Sequence, residues 1–156
     1  MKFGPAQMGM VFIVCGLVMA VGQGAIVGWF IDYKKEILLL AIGSGMVGVA
    51  LILLMLTETM TFILIWVGVL AFGMALLIPT LATLASRRSE TGTALGLQSA
   101  ANSLGQFAGP VTGGFLFVWS IHIPYLSTAV PLLATAIFLG AKVFLERGRQ
   151  DGPHFD

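Results

Sequence analysis

The sequence predicts an all-α membrane protein with five transmembrane helices that form part of a helical bundle. Of its 156 residues, 58% are hydrophobic and only 10% are charged, whereas about 25% of the residues in a soluble domain are charged. A membrane helix needs about 20 apolar residues, and the stretches without a formal charge are at least that long: 3–31, 37–57, 59–86 and 91–141. The last stretch is long enough for two crossings. These stretches lack the alternation of barrel strands.

The first helix is predicted at 7–29, after the break at Gly4-Pro5. Along it, small residues recur every four positions and leave one face bare, as helices that pack closely in lipid require: Gly16, Ala20, Gly24 and Gly28. Gln23 lies beside this face and is a candidate for the wall of a substrate cavity. An interhelical hydrogen bond is the alternative role for its amide.

The second and third helices are predicted at 37–56 and 60–84, separated by the polar residues 57–59. The second carries Gly43, Gly45 and Gly48, and the third has Pro79 near its end. Charged segments at 32–36 and 86–91 flank this pair and are predicted to be solvated loops.

The fourth helix, predicted at 93–117, contains an uncharged, glycine-rich stretch from Gly96 to Gly114. At 100° per residue, Ala101, Gly105, Gly109 and Gly113 share one narrow stripe. Pro110 interrupts the helical hydrogen bonding and therefore needs protein or water to satisfy the freed carbonyl. Three amide side chains one turn apart form a polar ridge that could border a cavity: Gln98, Asn102 and Gln106.

The fifth helix is predicted at 125–145, and Lys142 near its end can reach the membrane surface. The charged segment 146–156 is expected to be a disordered cytoplasmic tail. Loop charges set the orientation, since basic residues favour the cytoplasmic side. Lys2 falls on one side of the alternating path, and the other side holds Lys34, Lys35, Arg87, Arg88, Lys142, Arg147 and Arg149. The N-terminus is therefore predicted outside the cell membrane and the C-terminus in the cytoplasm.

The glycine and proline spacing of the fourth helix resembles the signature of drug/proton antiporters of the major facilitator superfamily. The matching positions are Gly96, Gly105, Gly109, Pro110, Gly113 and Gly114. Gly28 and Asp32 resemble remnants of the family's loop motif, and no arginine marks the third helix. The resemblance implies helices eight to twelve, the C-terminal portion of a multidrug efflux transporter that works by alternating access.

This resemblance also implies partners. A missing N-terminal half would cover the glycine faces and would carry the acid that couples export of a small organic substrate to protons, so the chain is not expected to transport alone. Within the resemblance, Gln98, Asn102, Gln106 and Gln23 are the candidates for the substrate cavity.

The sequence is also compatible with other functions. A small five-helix membrane subunit could use its glycine faces to bind another protein or itself, and a facilitator for sugars or metabolites would share the same features. An enzyme is disfavoured because the sequence contains no HExxH or GxSxG motif. The net charge of +1 gives no basic surface for nucleic acid. No metal site and no cofactor are predicted, and the single cysteine, Cys15, is expected to be a buried apolar residue.

Overall fold

The computed structural model describes residues 4–26, 33–88 and 92–150, which form five α-helices without a strand among them. In chain order the helices are α1 (Pro5–Ile26), α2 (Tyr33–Met55), α3 (Met60–Arg88), α4 (Thr93–Trp119) and α5 (Ile123–Gln150). Four of these described helices, α1, α2, α3 and α5, are long and apolar enough to cross a membrane. The predicted fold class is confirmed. The bilayer crossing by α4, which is less apolar, stays a prediction.

Helix α1 begins two positions earlier than the hydropathy pattern predicts, at Pro5. Proline is well accommodated in a first turn, where its missing N–H would have had no helical partner. The Gly4 N–H donates to Gln7 Oε1 at 3.1 Å and caps this end. Residues 27–29 of the predicted helix 7–29, which include Gly28, lie outside the described part of the chain.

The charged ends of α2 and α3 are helical, so their prediction as loops is wrong in part. Helix α2 starts at Tyr33 rather than at 37, and α3 continues to Arg88 rather than ending at 84. Hydropathy marks the portion of a helix inside the hydrocarbon, whereas the hydrogen-bonded backbone can continue beyond the membrane surface. Asp32 and residues 89–91 lie outside the described ranges.

The turn between α4 and α5 covers only residues 120–122, which is shorter than the gap between the predicted helices, since these end at 117 and begin again at 125. At the other end of α4, Gly92 adopts a left-handed conformation with φ of 69°, which glycine tolerates because it has no Cβ. Helix α5 continues to Gln150, so the expected disorder from 146 onward is wrong over 146–150. Residues 151–156 lie outside the described part.

Helix α2 is the centre of the bundle and packs against both α3 and α5, whereas α1 packs only against α3. Small side chains predominate in the buried apolar core: Ala41, Val47, Ala50, Ala71, Ala75, Leu76, Leu77 and Ala129. Helix α4 contacts only α3 and α5 among the described helices, and none of its residues is buried. The described part of the chain therefore consists of a packed bundle and one helix, α4, that lies largely uncovered beside it.

Candidate substrate cavity and helix-packing surfaces

Helices α2 and α3 approach most closely where each carries a glycine. A Cβ added at Gly73 would lie 2.8 Å from Val47 Cγ2 and 3.0 Å from the Gly43 carbonyl oxygen. A Cβ at Gly43 would lie 3.1 Å from the Gly73 carbonyl oxygen. Real Cβ atoms essentially never approach other heavy atoms within 3.0 Å, so this interface needs glycine at Gly73.

Two further glycines allow the remaining close contacts of the bundle. A Cβ at Gly48 of α2 would lie 2.7 Å from Leu133 Cγ of α5, and a Cβ at Gly22 of α1 would lie 2.8 Å from Ala75 Cβ of α3. Gly22 is not part of the predicted small-residue face. Two positions separate it from Gly24, which places the two about 200° apart around the helix. The face of α1 that packs is therefore on roughly the opposite side from the predicted one.

The glycine faces predicted from the sequence are open in the described structure. On α1, a Cβ added at Gly16 or Gly24 would meet no atom within 4 Å outside its own local helix. The same is true of every signature glycine on α4: Gly96, Gly105, Gly109, Gly113 and Gly114. Pro110 lies in the same helix. Both faces are thus accessible to a further helix.

The polar ridge of α4 is divided by its surroundings. Asn102 and Gln106 are exposed, whereas Gln98 is half-buried beside the other helices. Its Oε1 atom is fully enclosed and has no hydrogen-bond partner among the described groups. Gln23 is exposed on α1, and α1 does not contact α4. The structure therefore does not bring Gln23 together with the α4 ridge.

Gln98 lines a pocket of about 390 Å³ between the ends of four helices. We call it the lysine pocket, because Lys142 is the only charged residue among those that line it. Its described walls are Ile37, Leu40, Leu81, Leu84, Ala85, Gln98, Leu139 and Lys142. The wall residues come from the starts of α2 and α4 and from the ends of α3 and α5. The pocket therefore lies at one end of the bundle.

A second pocket of about 580 Å³ lies toward the opposite end, where α2 ends and α5 begins. Its walls include Glu58, His122 and Tyr125. The Tyr125 ring packs edge-on against Phe117, with centroids 6.4 Å apart, and so joins α4 to α5 across their turn. Within the described ranges, no group of three His, Cys, Asp or Glu side chains could hold a metal ion.

An ion pair that the sequence pattern did not predict joins α2 and α3. Arg87 Nη2 lies 3.1 Å from Glu36 Oε1, and the Glu36 side chain is 1% exposed while that of Arg87 is 44% exposed. Neither carboxylate oxygen has a well-aligned hydrogen bond among the described groups, so the two residues interact chiefly through the proximity of opposite charges. The antiparallel order of adjacent helices, with an acid in the first turn of α2 and a base in the last turn of α3, could have indicated this pair.

These features define a multi-pass α-helical membrane protein. Glycine contacts hold its bundle together, and two of its glycine faces remain uncovered. The sequence profile of the Major Facilitator Superfamily matches residues 1–154. The chain therefore belongs to this superfamily, whose members carry small molecules across membranes. Searches of curated proteins and of solved structures gave no significant match.

Proposed function

We propose that this chain is the C-terminal bundle of a proton-coupled efflux transporter for small organic molecules, and that α1 and α4 pack against an N-terminal half. The main support is the uncovered glycine face of α4, where a Cβ at Gly105, Gly109 or Gly113 would meet nothing within 4 Å. In lipid, bare faces of this kind let two helices come close enough for van der Waals packing. The glycine spacing of drug/proton antiporters on the same helix supports efflux as the direction of transport.

The composition of α4 supports a position between the two halves. Its exposed Asn102 and Gln106 would be poorly solvated by hydrocarbon, and such side chains in membrane helices face protein or a water-filled cavity. The N-terminal half would provide both a protein surface and one wall of a water-filled cavity. Asn102 and Gln106 each lie seven residues before a signature glycine, so they share the glycine side of α4. That side of α4 would then face both the partner helices and the substrate path.

Proton coupling requires an ionisable group at membrane depth. The described carboxylate side chains of this chain do not provide one: Glu36 is paired with Arg87, and Glu58 lies in the turn between α2 and α3. In this proposal the coupling acid belongs to the N-terminal half. The bundle described here contributes packing surfaces and part of the cavity wall.

Reconstitution into liposomes with an imposed pH gradient tests this function, with ethidium as the transported probe. The chain alone should show no proton-driven ethidium movement. Coexpression with the N-terminal half of a drug/proton antiporter should restore it. Proton-driven transport by the chain alone, or no transport after stable assembly of both halves, would contradict the proposal.

A substitution on the glycine face tests the packing argument directly. Gly109→Leu should leave the isolated chain folded, because the added side chain enters open space. It should reduce assembly with the N-terminal half at least tenfold in a pull-down titration, since a leucine side chain separates the two backbones. Gly140→Leu on α5 is the matched control, because Gly140 also has open space around it but is not part of the signature. Equal assembly of the two variants would argue against this packing surface.

The open faces also favour a second candidate function, in which this chain is a five-helix subunit that binds another copy of itself. Purification in mild detergent without the N-terminal half distinguishes the two. A stable dimer that Gly109→Leu disrupts, and that the N-terminal half does not displace, would favour the subunit. A monomer that assembles only with the half would favour the transporter.

A further inference from the structure

The lysine pocket lies at the end of the bundle that the alternating helical path predicts to be at one surface of the membrane. Its walls come from the first turns of α2, the last turns of α3, the start of α4 and the last part of α5. Because successive helices cross the membrane in opposite directions, these ends lie on the same side of the membrane. Seven of the eight basic residues of the sequence fall on that side. Anionic lipids concentrate near basic segments of this kind. Each lysine or arginine near the surface contributes about 1 kcal/mol to the attraction.

The chemistry of the pocket combines an apolar wall with two polar groups. Six of the eight lining side chains are aliphatic and can contact acyl chains. Lys142 is exposed at the pocket, so its flexible stem can lie along the apolar wall while its ammonium group reaches the headgroup region. The only formal charge on the described lining is therefore positive, which complements a phosphate.

Gln98 adds a requirement that a phosphate alone does not meet. Its Oε1 atom is enclosed and has no donor among the described groups, and an unsatisfied buried polar atom costs about 1–3 kcal/mol. Because the atom is enclosed, the amide has to turn toward the pocket to exchange hydrogen bonds with a ligand. Its amide offers an acceptor and two donors, whichever way it is turned. A ligand that satisfies both Lys142 and Gln98 thus carries a phosphate together with hydroxyl groups.

We propose that the lysine pocket binds an anionic phospholipid with a hydroxylated headgroup, of the phosphatidylglycerol type. Lys142 binds the phosphate, and the Gln98 amide exchanges hydrogen bonds with the glycerol hydroxyls. The aliphatic walls contact the upper part of the acyl chains. A cavity of about 390 Å³ falls within the range of small-molecule sites and accommodates the headgroup region of the lipid. This inference is independent of the transported substrate and of the N-terminal half.

Native mass spectrometry of the full chain in mild detergent tests the site by counting bound lipids. Phosphatidylglycerol and phosphatidylcholine with identical acyl chains are titrated at equal concentration. The wild-type chain should bind one phosphatidylglycerol more tightly than any phosphatidylcholine. Lys142→Gln should weaken that binding about fivefold, the equivalent of one surface charge, and Lys142→Arg should retain it.

A matched pair of substitutions separates the pocket from net charge. Gln98→Glu places a carboxylate beside the lipid phosphate and should weaken phosphatidylglycerol binding at least as much as Lys142→Gln. Gln7→Glu makes the same chemical change at the other end of the bundle, where a carboxylate can still accept the Gly4 N–H, and should leave binding unchanged. Circular dichroism of each variant checks that the helices are retained.

Three results would overturn the proposal. The first is no preference of the wild-type chain for phosphatidylglycerol over phosphatidylcholine, which does not depend on any variant folding. The second is an equal loss of binding in Gln98→Glu and Gln7→Glu, which would indicate a net-charge effect. The third is a dimer without bound lipid in the same spectra, which would assign the pocket to a contact between copies.

Discussion

Neighbouring atoms enclose the glycines of the α2–α3 interface, whereas the glycines of α4 face open space. A Cβ added at Gly73 would lie 2.8 Å from Val47 Cγ2, whereas one added at Gly109 would meet nothing within 4 Å. Both residues lie inside long helices of one chain, but only Gly109 belongs to a four-residue repeat of small residues. The difference shows that glycine spacing identifies a surface able to accept a close neighbour. It does not identify the helix that occupies this surface.

The largest effect in this comparison is expected from Gly73→Leu. The new side chain would be forced into Val47 and the Gly43 backbone. Overpacking typically costs about 1–3 kcal/mol, and a whole leucine side chain against backbone is expected at the upper end, about 3 kcal/mol. The free energy of unfolding in mixed micelles should fall by that amount. Gly105→Leu on α4 is the control and should stay within about 0.5 kcal/mol of wild type. Equal destabilisation by both substitutions would show that α4 is packed as tightly as the core.

A smaller effect is expected where the α2–α3 pair ends at the membrane surface. Arg87→Gln removes the counter-charge that the described side chains place beside the buried Glu36, and removing one partner of a fully buried pair costs about 3–5 kcal/mol. Because Arg87 is 44% exposed, solvent reduces the expected loss of unfolding free energy to about 2 kcal/mol.

The double variant Glu36→Gln/Arg87→Gln supplies the control for this ion pair. It removes the buried charge together with its partner and should recover at least half of the stability lost in Arg87→Gln, measured by the same unfolding titration. A double variant that is less stable than the single one would show that the carboxylate has another role.

The smallest effect compares two hydroxyl groups. The buried Thr80 hydroxyl donates to the Leu76 carbonyl oxygen at 2.6 Å, and the exposed Thr112 hydroxyl of α4 donates to the Ala108 carbonyl oxygen at 2.8 Å. Thr80→Val should lower the free energy of unfolding by about 0.5–1 kcal/mol. Thr112→Val should change the free energy of unfolding by less than the error of the measurement, because the exposed Thr112 has no packed contact to lose. A larger loss of unfolding free energy in Thr112→Val than in Thr80→Val would show that α4 is part of the core that determines stability.

The sequence sufficed for the fold class and for the approximate position of each helix, because the cost of burying charge in hydrocarbon separates the apolar stretches clearly. It was less successful at the helix ends. Tyr33 and Arg88 extend beyond the apolar stretch, and no hydropathy threshold distinguishes a charged helical turn from a charged loop. The Glu36–Arg87 pair was missed for the same reason, since both residues were assigned to loops.

The candidate site was predictable only in its parts. The pattern of α4 identified Gln98, Asn102 and Gln106 as one ridge, but the position of neighbouring helices decides that Gln98 alone enters a pocket. Similarly, four-residue spacing selected Gly16 and Gly24 on α1, whereas the glycine that touches α3 is Gly22. Periodicity defines the faces of a helix, and only the tertiary arrangement determines which face is covered.

The modest apolarity of α4 has a consequence for how the protein is made. The neighbouring helices α3 and α5 are apolar enough to enter a bilayer on their own, but α4, with its amides and glycines, gains less from leaving water. Its stable residence in lipid during synthesis should therefore depend on α3 before it and on α5 after it. A ribosome that stalls before α5 emerges would leave α4 at the translocon, able to slip back into the aqueous phase.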